Sequence, residues 1–543
     1  MLLSQVGASS LALLNLSRSA FSVVRETPAL GYLVALVACG LFWPFLRRTI
    51  SNRPALLPRI NAGLGLLTLL AFLALAFLSL HSFLLSDDEA NILSIAAAAL
   101  HGQPAYPSVH SYDFSYGLLY GPLTFLVPGL LFRLFHGAFW PLHLSVVLVN
   151  LFLCAILWLT ARRYLSRSLS LAVLAYPLAV LIRVIDHTLG LRSEPGLFFF
   201  TTLATFFTLA GPPLTASVLA GVCAGLALGF KLTTLPAAAF LLLLLFRRRG
   251  PLASALAAAA LILTSFAPFL LPAYSLHNYL DSFLNARSEP PSNFLLLSVL
   301  FAFSLLLPFV ILRCFGVRPW SPPQARFGAV PEITVLILGL LAATFVAAKP
   351  GGGLWHICQF VPPLIGYLIL TLAAAPQQPG LTTRLSLAIF VIALGSALYG
   401  LSFVPRNLVA LRPPPSRQLT QARQEIDGTL ASFPNQTLQV GYGANPNALP
   451  SLLRFIPVLR GQPYTLDGSG RIEVIPNPFP PGILNRMRQC HDDLWLIPSG
   501  QSPFDNPFFP PELHDVFVSH FTIARRQAVY DLWSCNADSN AAR

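Results

Sequence analysis

The chain has 543 residues, of which 55% are hydrophobic and only 10% charged, against the roughly 25% charged of a soluble domain. With a mean hydropathy of +0.67, this excludes an ordinary soluble enzyme and points to a polytopic membrane protein with several runs of about 20 apolar residues. The net charge of +13 is therefore read against membrane topology and not as a nucleic-acid surface.

Met1 to Val24 has no basic stretch ahead of its apolar residues, so no cleaved signal peptide is expected. Spans are expected near 30–46, 60–85, 140–160, 168–185, 195–210, 214–230, 232–246, 252–273, 293–312, 332–348, 356–375 and 385–403. Arginines cluster at Arg47 to Arg59, Arg162 to Arg167, Arg247 to Arg249 and Arg313 to Arg326. Placing these loops in the cytoplasm puts loop 86–118, residues 186–194, Lys231, 274–292, 349–355 and everything after 404 outside. Leu118 to Phe135 is apolar, but a crossing there would invert every later loop. Its Gly121, Pro122, Pro128 and Gly129 suit a broken, non-crossing segment.

The first outer loop opens with Ser86-Asp87-Asp88-Glu89-Ala90-Asn91 at the end of an apolar run. Ser86 could cap a helix whose first turn carries acids against the helix dipole. The same loop holds His101, Tyr106, His110, Tyr112, Asp113, Tyr116 and Tyr120 and no Lys or Arg, a composition that can bind a cation, accept a proton or hold a sugar. Five basic residues remain at outer edges: Arg183, Arg192, Lys231, Arg287 and Lys349. A lysine beside hydrocarbon either snorkels or finds an anion. Lys349 is followed by Pro350-Gly351-Gly352-Gly353-Leu354-Trp355-His356. Such a glycine run is either a flexible turn or a close backbone approach to phosphate. Together these basics favour an anionic ligand such as a lipid phosphate.

From Pro405 the chain turns polar and Pro-rich, with a helix face at Leu419, Ala422, Ile426 and Leu430 and strands at 437–443, 493–497 and 528–535. Helices are expected at 449–459 and around Ile483 to Met487. This reads as an α/β domain over 405–543. Its Cys490 and Cys535 are expected to pair if the domain faces an oxidising compartment, the alternative being two separately buried thiols. Seven cysteines without CxxC spacing give no metal-binding set.

The ordered motifs Asp87-Asp88-Glu89, Tyr120-Gly121-Pro122-Leu123, Arg192-Ser193-Glu194-Pro195, Gly229-Phe230-Lys231-Leu232-Thr233 and Lys349-Pro-Gly-Gly-Gly with His356 resemble the GT-C class of integral membrane glycosyltransferases. That class includes the protein O-mannosyltransferases and the lipid A aminoarabinose transferases. The resemblance covers roughly residues 60–400. It implies a GT-C-like bundle there; with the apolar runs and the arginine asymmetry, the expectation is an all-α bundle of about 12–13 transmembrane helices over 30–404, after an N-terminal segment 1–29, with the α/β domain outside the cytoplasm, the span at 30–46 and the tail lying beyond the resemblance. It implies transfer, with inversion, of a sugar from a polyprenyl-phosphate donor to a hydroxyl on a lipid, glycan or protein acceptor, in the bacterial inner membrane. The first-loop base falls on Asp88 or Asp87, beside Glu89. Glu194 matches the acid after the arginine. Lys231, Lys349, Arg192 and His356 match the phosphate side. This chain departs from the class in having three first-loop acids and in carrying Leu232 where a polar residue is usual. No obligatory cofactor is expected, although three acids could hold a divalent cation. A transporter or flippase using the acids for a coupling ion, or a non-catalytic assembly subunit of the same fold, are the rival readings. No inverted repeat supports the transporter.

This topology predicts that single cysteines at Ser166 and Ser502 label from opposite sides of sealed cells. Labelling from the same side would overturn it.

Overall fold

The computed structural model describes residues 26–42, 56–84, 86–108, 114, 116–285, 292–322, 328–349, 352–375, 382–468, 481–490, 492 and 494–536. Within the described residues each of the twelve expected spans overlaps a helix, two of them, 293–312 and 356–375, as a pair of helices. The first half contains α1 (Pro28–Leu41), α2 (Leu56–Leu78), α3 (Asp87–Leu100), α4 (Leu123–Leu134), α5 (Trp140–Arg162), α6 (Arg167–Arg183), α7 (Glu194–Leu209) and α8 (Pro213–Phe230). The second contains α9 (Leu235–Arg249), α10 (Pro251–Phe266), α11 (Leu276–Leu284), α12 (Ser292–Ser304), α13 (Leu307–Cys314), α14 (Val330–Ala347), α15 (Val361–Ala374) and α16 (Thr382–Ser402). Among the described residues six helical segments are long and apolar enough to cross a bilayer, and α12 with α13, bent by 43°, adds a seventh. The protein is an integral membrane protein. α4 has 12 residues with Pro128 inside it. At 1.5 Å per residue it extends about 18 Å, short of a roughly 30 Å hydrocarbon core.

Small residues set the closest helix contacts. Gly221 and Gly225 on α8 face Ala257 and Leu261 of α10, where any Cβ would strike backbone carbonyls. This is the small-residue packing that lets helix backbones approach without a hydrophobic driving force. At the end of the bundle that carries the Arg247–Arg249 cluster, the basic side chains satisfy buried groups. Arg247 Nε pairs with the buried Glu332 at 2.8 Å. Arg249 donates to the carbonyls of Phe207 and Ala210, both at 3.0 Å, at the C-terminal end of α7, where cations are favoured.

The tail follows a short helix, Val404–Ala410, and contains α17 (Ser416–Ser432), α18 (Pro481–Arg488), α19 (Pro511–His520) and a sheet of order β1-β2-β4-β3. Its strands are β1 (Leu438–Val440), β2 (Leu494–Pro498), β3 (Phe521–Arg526) and β4 (Tyr530–Cys535). β1 and β2 are parallel; β2 with β4 and β3 with β4 are antiparallel. The expected helix at 449–459 is two short helices, Leu449–Leu452 and Phe455–Leu459. β3 and α19 were not anticipated. β3 is an edge strand ending in Arg525-Arg526 and is largely exposed, so it carries no apolar alternation to read.

The tail does not stand apart from the bundle. Phe83, Ala90, Leu93 and Phe132 share one apolar core with Ala422, Ile426, Leu438 and Phe455. Cys490 and Cys535 form a disulfide, Cα to Cα 5.8 Å, that fastens the end of α18 to the end of β4. Cys535→Ser is expected to lower tail stability by roughly 2–4 kcal/mol. Earlier proteolysis of the tail in full-length protein would report it.

Candidate active site

α3 begins where its three acids must diverge, because successive helical side chains point about 100° apart. Each finds a different environment. Asp87 is buried and pairs with Arg454 of the tail at 2.7 Å. Asp88, a quarter exposed, pairs with Arg192. Glu89 is fully buried, its carboxylate packed against Gly190. Ser86 occupies the N-cap position, yet its hydroxyl does not cap the helix. It accepts from Arg192 Nη2 at 3.2 Å, and the Asp87 amide donates instead to Asn447 Oδ1 of the tail at 3.2 Å.

Arg454 is the tail's main intrusion. It donates to Asn91 Oδ1 through Nε at 2.8 Å, to the Ser451 carbonyl at 2.9 Å and to the Asp87 carbonyl at 2.8 Å. Its guanidinium lies 5.0 Å from the centre of the Tyr442 ring. Burial alone would depress its pKa, but Asp87 and the neighbouring tyrosines outweigh that and raise it. Tyr464 donates to Asn91 Oδ1 at 3.0 Å. Burial pushes the Tyr442 and Tyr464 hydroxyls well above their ordinary range, so both remain protonated donors.

A second buried pair lies across from these acids. Lys231 Nζ donates to Glu194 Oε1 at 2.8 Å, with the two side chains 5% and 1% exposed. The ammonium also sits 4.6 Å from the centre of the Tyr120 ring. Chain geometry brings Tyr120 there. The Gly121 amide and the Thr124 hydroxyl donate to the Phe230 carbonyl at 2.8 and 3.0 Å, tying the start of α4 to the end of α8. Lys231 thus neither snorkels to water nor stands alone.

Trp355 packs beside Arg192 and two histidines. The Arg192 guanidinium lies 5.9 Å from its ring centre, and His187 stacks on it at 3.7 Å. His187 in turn contacts Asp186 at 3.0 Å. His356 is buried beside Trp355, within the field of Lys231, Glu194, His187 and Arg192. The glycine run has a steric role here. A Cβ on Gly353 would overlap the Trp355 ring, and the Gly352 amide is already bonded to the Lys349 carbonyl at 2.8 Å. Gly351 lies outside the described residues, as do His110, Tyr112 and Asp113.

Asp87, Asp88, Glu89, Arg192, Glu194, Lys231 and His356 therefore gather in one region. Lys349 is half-buried with its ammonium 5.4 Å from the Phe345 ring centre, and among the described residues it joins no ion pair. Sequence reasoning missed Arg454, Tyr442, Tyr464, Asn447, His187 and Trp355. Arg454 alone left a trace, as the lone charge in Leu452-Leu453-Arg454-Phe455-Ile456. An apolar cavity of about 220 Å³ is lined by Gly121, Pro122, Leu228, Leu232, Leu261 and Tyr279 among others, Leu232 being the residue after Lys231. Among the described residues no three His, Cys, Asp or Glu side chains converge as a metal-ligating group.

The sequence matches no protein-family model and no curated protein. Among solved structures, the chain is similar to ArnT from Cupriavidus metallidurans in its complex with undecaprenyl phosphate. The TM-score is 0.50 and the identity 14%, over 87% of this chain and 98% of that one. The chain has the GT-C fold that its ordered motifs resemble.

Removing one member of a buried ion pair strands the other and costs about 3–5 kcal/mol, whereas removing both costs less. Lys231→Met and Glu194→Gln should each lower the thermal midpoint of the full-length protein, and Lys231→Met with Glu194→Gln should recover part of the loss. Additive losses would show that the two groups do not interact.

Proposed function

We propose that the protein is an inverting membrane glycosyltransferase that takes a sugar from a polyprenyl-phosphate donor and transfers it to an acceptor hydroxyl on the outer side of the bacterial inner membrane. The observation that carries this reading is the junction at Lys231. A buried cation, with Arg192 nearby, immediately precedes Leu232 in the chain, and its aromatic neighbour Tyr120 immediately precedes Gly121 and Pro122; those three residues line an apolar cavity. An anionic head on a long apolar chain has the chemistry to fill both. The outer orientation is supported by the arginine asymmetry and by the Cys490–Cys535 disulfide, which belongs to an oxidising compartment.

In this mechanism Lys231 and Arg192 offset the charge that develops on the phosphate as the glycosidic bond breaks. Phosphate leaves readily, so no strong general acid is required. Asp88 takes the acceptor proton as the hydroxyl attacks the anomeric carbon from the opposite face. Asp88 is favoured over Asp87 and Glu89 because it alone of the three has solvent access; their side chains are 25%, 6% and 0% exposed. Arg192 links the two events. A donor phosphate competes with Asp88 for its guanidinium, and the freed carboxylate becomes the better base. Glu194 holds Lys231 in place, and His356 contributes a buried wall. Lys349 and the Gly351 to Gly353 loop are assigned an outer part of the donor path. Residues 30–404 form the catalytic membrane domain, and 405–543 an outer domain that braces its first loop.

Losing a general base typically costs about 10²–10⁴ in rate. Asp88→Asn, which removes the carboxylate that competes for Arg192, should bind undecaprenyl phosphate at least as tightly as wild type in native mass spectrometry of the full-length protein, yet transfer sugar from membrane-derived polyprenyl-phosphate donors at least about a hundredfold more slowly. Arg192→Gln should instead weaken retention of the lipid. Near wild-type transfer by both Asp87→Asn and Asp88→Asn would remove the base from this loop. Ion-dependent flux in proteoliposomes without transfer would replace the enzyme reading with transport.

A further inference from the structure

A second recess lies at the other end of α3, between the bundle and the tail. Its volume is about 510 Å³. Arg133 and His136 from the end of α4, His101 from the end of α3, and Arg423, Asp427 and Arg460 from the tail supply its polar lining. Three arginines thus face one carboxylate, and Asp427 is already engaged by Arg460 at 3.6 Å. Arg423 Nε is buried and, among the described residues, has no hydrogen-bond partner. A desolvated guanidinium donor left unmet is unfavourable unless something enters to accept from it.

The floor of the recess is apolar. Phe455 of the tail stacks with Phe132 at 6.5 Å and with Phe139 at 5.6 Å between ring centres. Beside it, Leu130 and Leu134 of α4 and Trp140 at the start of α5 are 52%, 60% and 60% exposed. An exposed aromatic next to an exposed apolar helix face marks the level of the lipid headgroups. His136 holds a positive φ of 52°, an unfavourable backbone for a non-glycine residue. His101 lies thirteen positions after Asp88, about 20 Å along the helix, so this recess is distinct from the reacting acids.

We propose that this recess binds a phosphate-bearing anion, with Arg423, Arg133 and Arg460 as its ligands, and that a membrane phospholipid headgroup is the form in which the phosphate arrives. The apolar floor and the exposed neighbours Leu134 and Trp140 suit a headgroup whose chains remain in the bilayer. The same three arginines would also hold free phosphate. The bound group would bridge the bundle and the tail, since its ligands come from both. This inference does not depend on the reaction assigned above.

The test uses full-length protein equilibrated in detergent with equal amounts of phosphatidylglycerol and phosphatidylcholine, with retained lipid read by native mass spectrometry. Wild type should retain phosphatidylglycerol selectively. Arg133→Gln with Arg460→Gln, both on exposed side chains, should reduce that retention by roughly tenfold, and Arg423→Gln should do the same. A parallel arm adds inorganic phosphate. If millimolar phosphate displaces the lipid from wild type, the recess recognises phosphate whatever its source. If it does not displace the lipid, the site requires the lipid form. Equal retention of both lipids by wild type, or unchanged phosphatidylglycerol retention in both variants, would overturn the proposal.

Discussion

The site depends on a guanidinium that does not belong to the membrane bundle. Arg454 enters from the tail, is almost fully desolvated, and is met by the Asp87 carboxylate, the Asp87 carbonyl, Asn91 and the Ser451 carbonyl. A charge buried this deeply is tolerable only when its donors are satisfied. Their positions are therefore fixed together. Asp87 and Asn91 lie one turn apart on α3, so holding both fixes the rotation of that helix about its axis. With the rotation set, Asp88 points toward Arg192 and Glu89 points inward. Asn447, capping the Asp87 amide, fixes the helix start from the same side.

Much of this architecture is legible in the sequence, for a physical reason. A bilayer demands long apolar runs, and within the described residues each of the twelve expected spans overlaps a helix because lipid leaves the backbone no other partner. Carboxylates and lysines are similarly conspicuous in a chain that is 10% charged. Asp87, Asp88, Glu194 and Lys231 stand out because nothing else nearby could explain their cost. The partners of these charges are a different matter. Arg454 lies 367 residues from Asp87, in a polar tail where an arginine is ordinary. Only tertiary packing pairs them. The glycines after Lys349 are legible as glycines but not as to purpose. Backbone freedom and room for the Trp355 ring look alike in sequence, and Gly353 serves the second.

The two buried pairs differ in kind. Glu194 and Lys231 are both nearly inaccessible, and their contact ties α7 to the end of α8. Asp88 and Arg192 lie nearer the surface, the carboxylate a quarter exposed. Electrostatic attraction between buried charges is stronger than between solvated ones, and so is the penalty for separating them. The inner pair is therefore suited to hold geometry, and the outer pair to exchange partners.

Charge balance makes that exchange consequential. The region holds the carboxylates of Asp87, Asp88, Glu89 and Glu194 against the permanent cations Arg192, Lys231 and Arg454. Arg454 is committed to Asp87 by its surrounding hydrogen bonds, and Lys231 is held in place by Glu194, so in the proposed mechanism it would act on the phosphate from a fixed position. A further anion entering the region would need a cation turned toward it. Arg192 has the geometry to do so, because it already spans Ser86, Asp88 and the Trp355 face, and a planar guanidinium can change carboxylate for phosphate without leaving its aromatic support. His187, stacked on the Trp355 ring at 3.7 Å, gives that ring a second support. The carboxylate left behind would be Asp88, the most exposed of the three first-loop acids, and therefore the one that water or a hydroxyl can reach.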